Sequence, residues 1–300
     1  MEKTIKSVFL MAVLAVVVGA CQNNRSKQTL SSVESSLAVS VDTVSQTIKF
    51  GNTLFSLPSP YQLTMMVKNA DVKFNESLMN PVGNNSKYTS QFQKCVNLGV
   101  YGADLAYLNI YGQMPLVMNV FSVAKVLATD LDLLVTFNSE LVNRVEKNID
   151  NNDSLLYIMT NTYRDVDIYL KESHRQKEGA LILAGGWVEA MYILTQLAVD
   201  TKNQELIQHV GESKQPLDNL VKILTPYYSG NKEIKELLDA LKDLTNDFEG
   251  VEQSYTYKVP EIDVENKVTV IKSVSKVSVK DADLQNIAKK IKNIRTLLVK

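Results

Sequence analysis

Apolar residues recur every three or four positions over most of residues 59–248, the period of a helix that buries one stripe. The spacing predicts helices over 59–77, 87–111, 115–133, 137–149, 153–173, 177–199, 203–226 and 231–248. The breaks have chemical causes. Pro81-Val82-Gly83-Asn84-Asn85 is a loop signal. Pro115 suits a first helical turn, Asp153 a helix N-cap, and Ser229-Gly230-Asn231 a helix stop. A further helix over Val33 to Ile48 is expected in an otherwise polar stretch. Beyond 248 the pattern changes. Lys267 to Lys280 is rich in β-branched residues and predicts a strand, pairing with Tyr255-Thr256-Tyr257-Lys258, although its valine spacing also allows a helix. Asp281 to Lys300 reads as a helix capped by Asp281, with Leu284, Ile287, Ile291, Ile294 and Leu298 on one stripe.

The chain also resembles itself. Tyr61 to Ser77 laid on Tyr157 to Ser173 gives five identities in seventeen positions. Asp104-Leu-Ala-Tyr107 falls on Glu189-Ala-Met-Tyr192, and Leu116, Val120, Leu127, Leu131 and Leu134 fall on Leu206, Val210, Leu217, Val221 and Leu224. The expected fold is therefore all-α: two pseudo-repeats of a four-helix unit, 59–149 and 153–248, then a basic tail, 255–300, holding a short possible β segment and a C-terminal helix. Helices 87–111 and 177–199 are apolar nearly all round and should be buried. Both carry glycines, Gly99 and Gly102 in one and Gly185 and Gly186 in the other. A helix-interior glycine costs about 1 kcal/mol of propensity, and close approach of the two helices would offset it. The two are expected to cross there.

Composition narrows the possibilities. Of 300 residues, 45% are hydrophobic and 22% charged, which excludes a disordered chain. A net charge of −1 argues against a uniformly basic nucleic-acid binder. The charge is uneven, however: residues 255–300 carry ten basic and five acidic side chains, and residues 22–254 carry twenty and twenty-seven. The basic tail helix could dock on the acidic body, lie on anionic lipid, or recruit a protein partner through 281–300.

The N-terminus reads as an address. Lys3 and Lys6 precede an unbroken apolar run of 11 residues, Val8 to Val18, too short to span a bilayer and suited to an export signal. Val18-Gly19-Ala20-Cys21 follows, which resembles the lipobox of bacterial lipoproteins. That resemblance implies cleavage after residue 20, a diacylglycerol thioether on Cys21, palmitate as an expected acyl group, and a tether over 21–58. Two or more acyl chains give stable membrane attachment. The second mature residue is not the aspartate that favours inner-membrane retention in enterobacterial lipoproteins, so the outer membrane is expected. No acidic run follows Cys21, unlike the surface-export signals of Bacteroidota lipoproteins, so a periplasm-facing position is expected. As a whole the chain resembles helix-rich lipoproteins of the Bacteroidota, which implies no activity. An ordinary secretory signal with an incidental cysteine is the alternative.

Candidate chemistry is sparse. The two histidines, His174 and His209, have no ligand set around them in sequence, and no metal or cofactor is expected. Cys95 lies on a helical stripe and reads as a small buried hydrophobe. The most distinctive constellation is acidic and aromatic. Asp104 with Tyr107 and Glu189 with Tyr192 are acid-x-x-Tyr pairs on the two apolar helices. A carboxylate there costs several kcal/mol unless paired. Each could meet a tyrosine hydroxyl or a cation such as Lys68 or Arg164. Alternatively the acids could face a polar pocket between the repeats, lined by Tyr101, Tyr107, Tyr111, Trp187 and Tyr192, and act as an acid–base pair. The leading functional expectation is a non-enzymatic, membrane-tethered binding or scaffold module. An enzyme using Asp104 and Glu189, or a purely architectural tether, is the alternative.

Overall fold

The computed structural model describes residues 46–50, 53–57, 66–68, 70–263 and 268–300. The signal segment, Cys21, most of the tether and the start of the expected 59–77 helix lie outside the described residues. The fold is all-α with short two-stranded sheets. In chain order come a hairpin, β1 (Gln46–Phe50) and β2 (Thr53–Leu57), then helices α1 (Gln91–Ile110), α2 (Met114–Asp130), α3 (Ser139–Lys147), α4 (Asn152–Glu172), α5 (Gln176–Thr201), α6 (Gln204–Glu212), α7 (Lys214–Leu224) and α8 (Lys232–Asp247). A second hairpin arm follows, with β3 (Glu252–Thr256) paired to β6 (Val274–Ser278) and β4 (Glu261–Asp263) paired to β5 (Val268–Val270), both antiparallel. Helix α9 (Asp281–Leu298) closes the chain.

Asparagine sets many of the boundaries. Asn138, Asn151, Asn203 and Asn231 each accept a backbone N–H in the first turn of α3, α4, α6 and α8. Thus Asn151, not Asp153, caps α4, and Asp281 sits inside the first turn of α9 rather than capping it. A reciprocal capping box between Ser90 and Gln93 starts α1. The expected helix over 203–226 is two helices. Pro216 lacks the N–H that would continue the ladder, and Ser213 Oγ turns back to the His209 carbonyl at 2.9 Å.

Helices α1 and α5 form the centre, as their uniform apolarity implied. They run parallel: Gln91 Nε2 near the start of α1 donates to Glu178 near the start of α5 at 2.9 Å. They touch through backbone. A Cβ on Gly99 would stand 1.9 Å from the Ile182 carbonyl oxygen, and a Cβ on Gly185 would stand 1.8 Å from that of Val96. The two contacts are reciprocal, because 86 residues separate both the glycines and the carbonyls they meet. Gly102 takes no part in the crossing and faces open space. Helix α5 has the length and hydropathy of a membrane span, yet 89% of its apolar window is buried inside the protein.

Two further expectations need correction. Residues 59–77 are not one helix. Residues 66–68 are helical, Asp71 turns at φ +52°, and the chain continues as an irregular strap with 3-10 turns at Glu76–Leu78 and Val82–Lys87. Its backbone groups bond instead to side chains of α1, which overrides local helical propensity. The expected helix over Val33 to Ile48 also fails at its end, since Gln46 to Ile48 belong to β1. The tail, by contrast, joins the core. Leu284, Ile287, Ile291, Ile294 and Leu298 are buried as α9 packs on α5 and α8.

Candidate functional site

The parallel central pair carries Asp104 and Glu189 past the glycine crossing to the same level. Both side chains have no solvent exposure, and their carboxyls come within hydrogen-bonding reach of each other. Arg295 of α9 grips Glu189 with two hydrogen bonds, Nε to Oε2 and Nη2 to Oε1, both 2.9 Å. This planar fork is the strong form of an ion pair. The same guanidinium lies over the Tyr192 ring, 4.6 Å from its centroid, and reaches the Leu78 carbonyl at 3.3 Å. Asp104 has no cation of its own. Its Oδ2 accepts the Asn80 backbone N–H at 3.1 Å, and its Oδ1 has no donor among the described residues.

Two acids and one guanidinium balance when the acids share one proton. Burial raises the Asp104 carboxyl well above the ordinary range, and the charge of Glu189 raises it further, against the lowering effect of the Asn80 N–H and Arg295. Burial also raises Glu189, but Arg295 opposes this through both hydrogen bonding and charge. A shared proton is therefore favoured on Asp104 rather than on Glu189. Glu189 carries the charge.

The tyrosines expected in a pocket hold the strap instead. Tyr107 Oη accepts the Asn75 backbone N–H at 2.9 Å, Tyr111 Oη donates to the Val72 carbonyl, and Tyr101 Oη donates to the Pro81 carbonyl at 3.0 Å. Asn80 Nδ2 donates to Tyr88 Oη at 2.9 Å. Trp187 is fully buried and its Nε1 has no acceptor among the described residues. Of the six candidate pocket residues, then, Asp104, Glu189 and Tyr192 meet around Arg295, while Tyr107 and Tyr111 turn to the strap. Cys21 lies outside the described residues. Chemically, the arrangement ties three segments together: the strap through Leu78 and Asn80, the central pair through the two acids, and α9 through Arg295.

The cation was misidentified in sequence, since Lys68 and Arg164 are both exposed. Arg295 lies four residues past Ile291 and three before Leu298, both buried, so it shares their inward face. Reading that helix as a tail concealed the signal. Elsewhere, Cys95 is fully buried and its thiol is pushed up to about 12 by desolvation. His209 sits between Glu205, at 3.9 Å, and Glu212, at 2.8 Å. His174 occupies the turn between α4 and α5 with φ +57°. No group of three or more potential metal-binding side chains occurs among the described residues. No family model, curated protein or solved structure matches the chain.

Proposed function

We propose that this chain is a lipid-anchored helical module of the bacterial envelope that works by binding or scaffolding rather than by catalysis. The observation that supports this reading most is the state of the acid pair. Its two carboxyl groups have no solvent exposure, and one is fully engaged by a bidentate arginine. A general acid or base must reach the proton it moves, whereas these groups lie out of reach of solvent. The anchoring half of the reading rests on Val18-Gly19-Ala20-Cys21 and the apolar run before it.

The test separates the two halves. The full chain is expressed in a bacterium with a lipoprotein pathway, and its mature N-terminus is weighed by mass spectrometry. Cleavage before Cys21 with added diacylglycerol and acyl mass, and release of a Cys21→Ala variant from the membrane fraction, are expected. A mature protein that lacks added lipid mass would overturn anchoring. For the scaffold half, the double variant Asp104→Asn, Glu189→Gln is predicted to change stability and nothing else. An activity that vanishes in that variant while its melting curve stays that of the wild type would overturn it.

A further inference from the structure

The central helices leave a second feature that the acid pair does not use. Helices α1 to α5 and the loop at Phe137 wall an apolar pocket of about 100 Å³ that is partly open to the surface, lined by Leu98, Gly102, Phe121, Phe137, Ile158 and Tyr163 among others. Gly102 keeps it open, with no heavy atom within 4 Å of where its Cβ would stand. Leu98, Phe121 and Phe137 retain 6–8% exposure while Val100, Tyr101 and Leu108 retain none, as expected for side chains that border a void. Tyr163, half-buried at the wall, has no hydrogen-bond partner for its hydroxyl among the described residues, and burial pushes that phenol above its ordinary range, so it stays a neutral donor. Leu141 and Thr162 border both this cavity and an outer cleft of about 380 Å³ lined by Glu140, Arg144, Asp165 and Glu172. Three acids against one arginine make the approach unfavourable for an anion.

We propose that this cavity binds a small neutral amphiphile, an aliphatic chain or single ring with one hydroxyl, whose apolar part fills the space at Gly102 and whose oxygen accepts from Tyr163. Ligand pockets pair an apolar lining with few polar groups, and the partly open mouth lets a chain longer than the pocket extend outward from it. The inference stands apart from membrane anchoring and holds equally for a chain without a lipid.

The probes are 1-octanol and octanoate, added to the purified full chain and followed by melting temperature and by the methyl signal of ¹³C-methyl Met159, which borders the cavity. Saturable octanol binding that raises the melting temperature and shifts the Met159 signal is expected, with octanoate about tenfold weaker. Tyr163→Phe should weaken octanol about tenfold, the value of one hydrogen bond. Gly102→Leu should abolish binding. Gly102→Ala should melt above the wild type, since it regains helix propensity and meets no atom. Absence of saturable octanol binding, binding that persists in Gly102→Leu, or a Gly102→Ala variant that melts below the wild type would each overturn the proposal.

Discussion

Asp104 and Glu189 occupy corresponding places on two parallel helices, and the protein treats them oppositely. Glu189 is charged, doubly bonded to Arg295 and shielded by the Tyr192 ring. Asp104 is held by one backbone N–H and keeps its proton. The difference comes from what covers each helix. Helix α9 lies mainly on α5, and the strap lies on α1. A helix brings a side-chain cation, while an irregular strap brings only backbone donors and carbonyls. Two matching acids therefore need not share a role, and the burial of a charge is decided by the third element that arrives.

The largest effect should come from the symmetric part of this pair, the backbone contact. Gly185→Ala places a methyl 1.8 Å from the Val96 carbonyl oxygen, with no flexible side chain able to yield. A loss of about 3 kcal/mol or more is expected in denaturant unfolding, and Gly99→Ala should behave alike. If only one of them is costly, the reciprocal crossing is wrong.

Next comes the asymmetric part. Glu189→Gln leaves the half-buried Arg295 without its counter-charge, and breaking such a pair from one side, with some solvent already at the guanidinium, should cost about 2–3 kcal/mol. Chemical denaturation at neutral pH measures it. A cost below about 1 kcal/mol would mean that the guanidinium reaches solvent and that the two acids are less different than the geometry implies.

The smallest effect, and the most informative, should come from Asp104→Asn. An asparagine keeps an acceptor for the Asn80 N–H and offers an N–H to Glu189, imitating the protonated acid. Stability near neutral pH should change by less than about 1 kcal/mol or rise. The sign with pH follows from the raised carboxyl. The wild type gains stability from Asp104 below the unfolded-state value near 3.8, and that gain is lost as pH rises from there through the folded value. Asp104→Asn should flatten this decline. A decline of the same slope in the variant would place the proton elsewhere.

How much of this was legible depends on where a residue's partner lies in the chain. Helices with local capping and strong periodicity could be read closely: α1, α4, α5 and α8 begin within a few residues of expectation, because their signals lie within one turn. The glycine crossing was legible because two apolar helices with interior glycines have few other reasons to exist. The failures share one cause. Residues 71–77 have helical spacing and share Asp71, Glu76 and Ser77 with Asp167, Glu172 and Ser173, yet Tyr107 and Tyr111 capture their backbone groups from more than thirty positions away. Likewise Arg295, which lies 106 positions from Glu189, is invisible to any local pattern. The cavity behind Gly102 was missed for the same reason. A helix-interior glycine signals close approach or open space alike, and only the neighbours decide.

The arginine clamp has a kinetic consequence. It closes loops as long as the 217 positions between Leu78 and Arg295, and contacts of such separation are costly to form early in folding. The clamp needs α9, the last element of the chain, and the strap to be in place together, so it is expected to close late in assembly. Interactions that form after the barrier govern how long a folded state lasts rather than how quickly it is reached. Arg295 thus acts as a latch on native lifetime. Its loss should shorten the survival of the finished molecule while leaving the speed of its formation largely untouched.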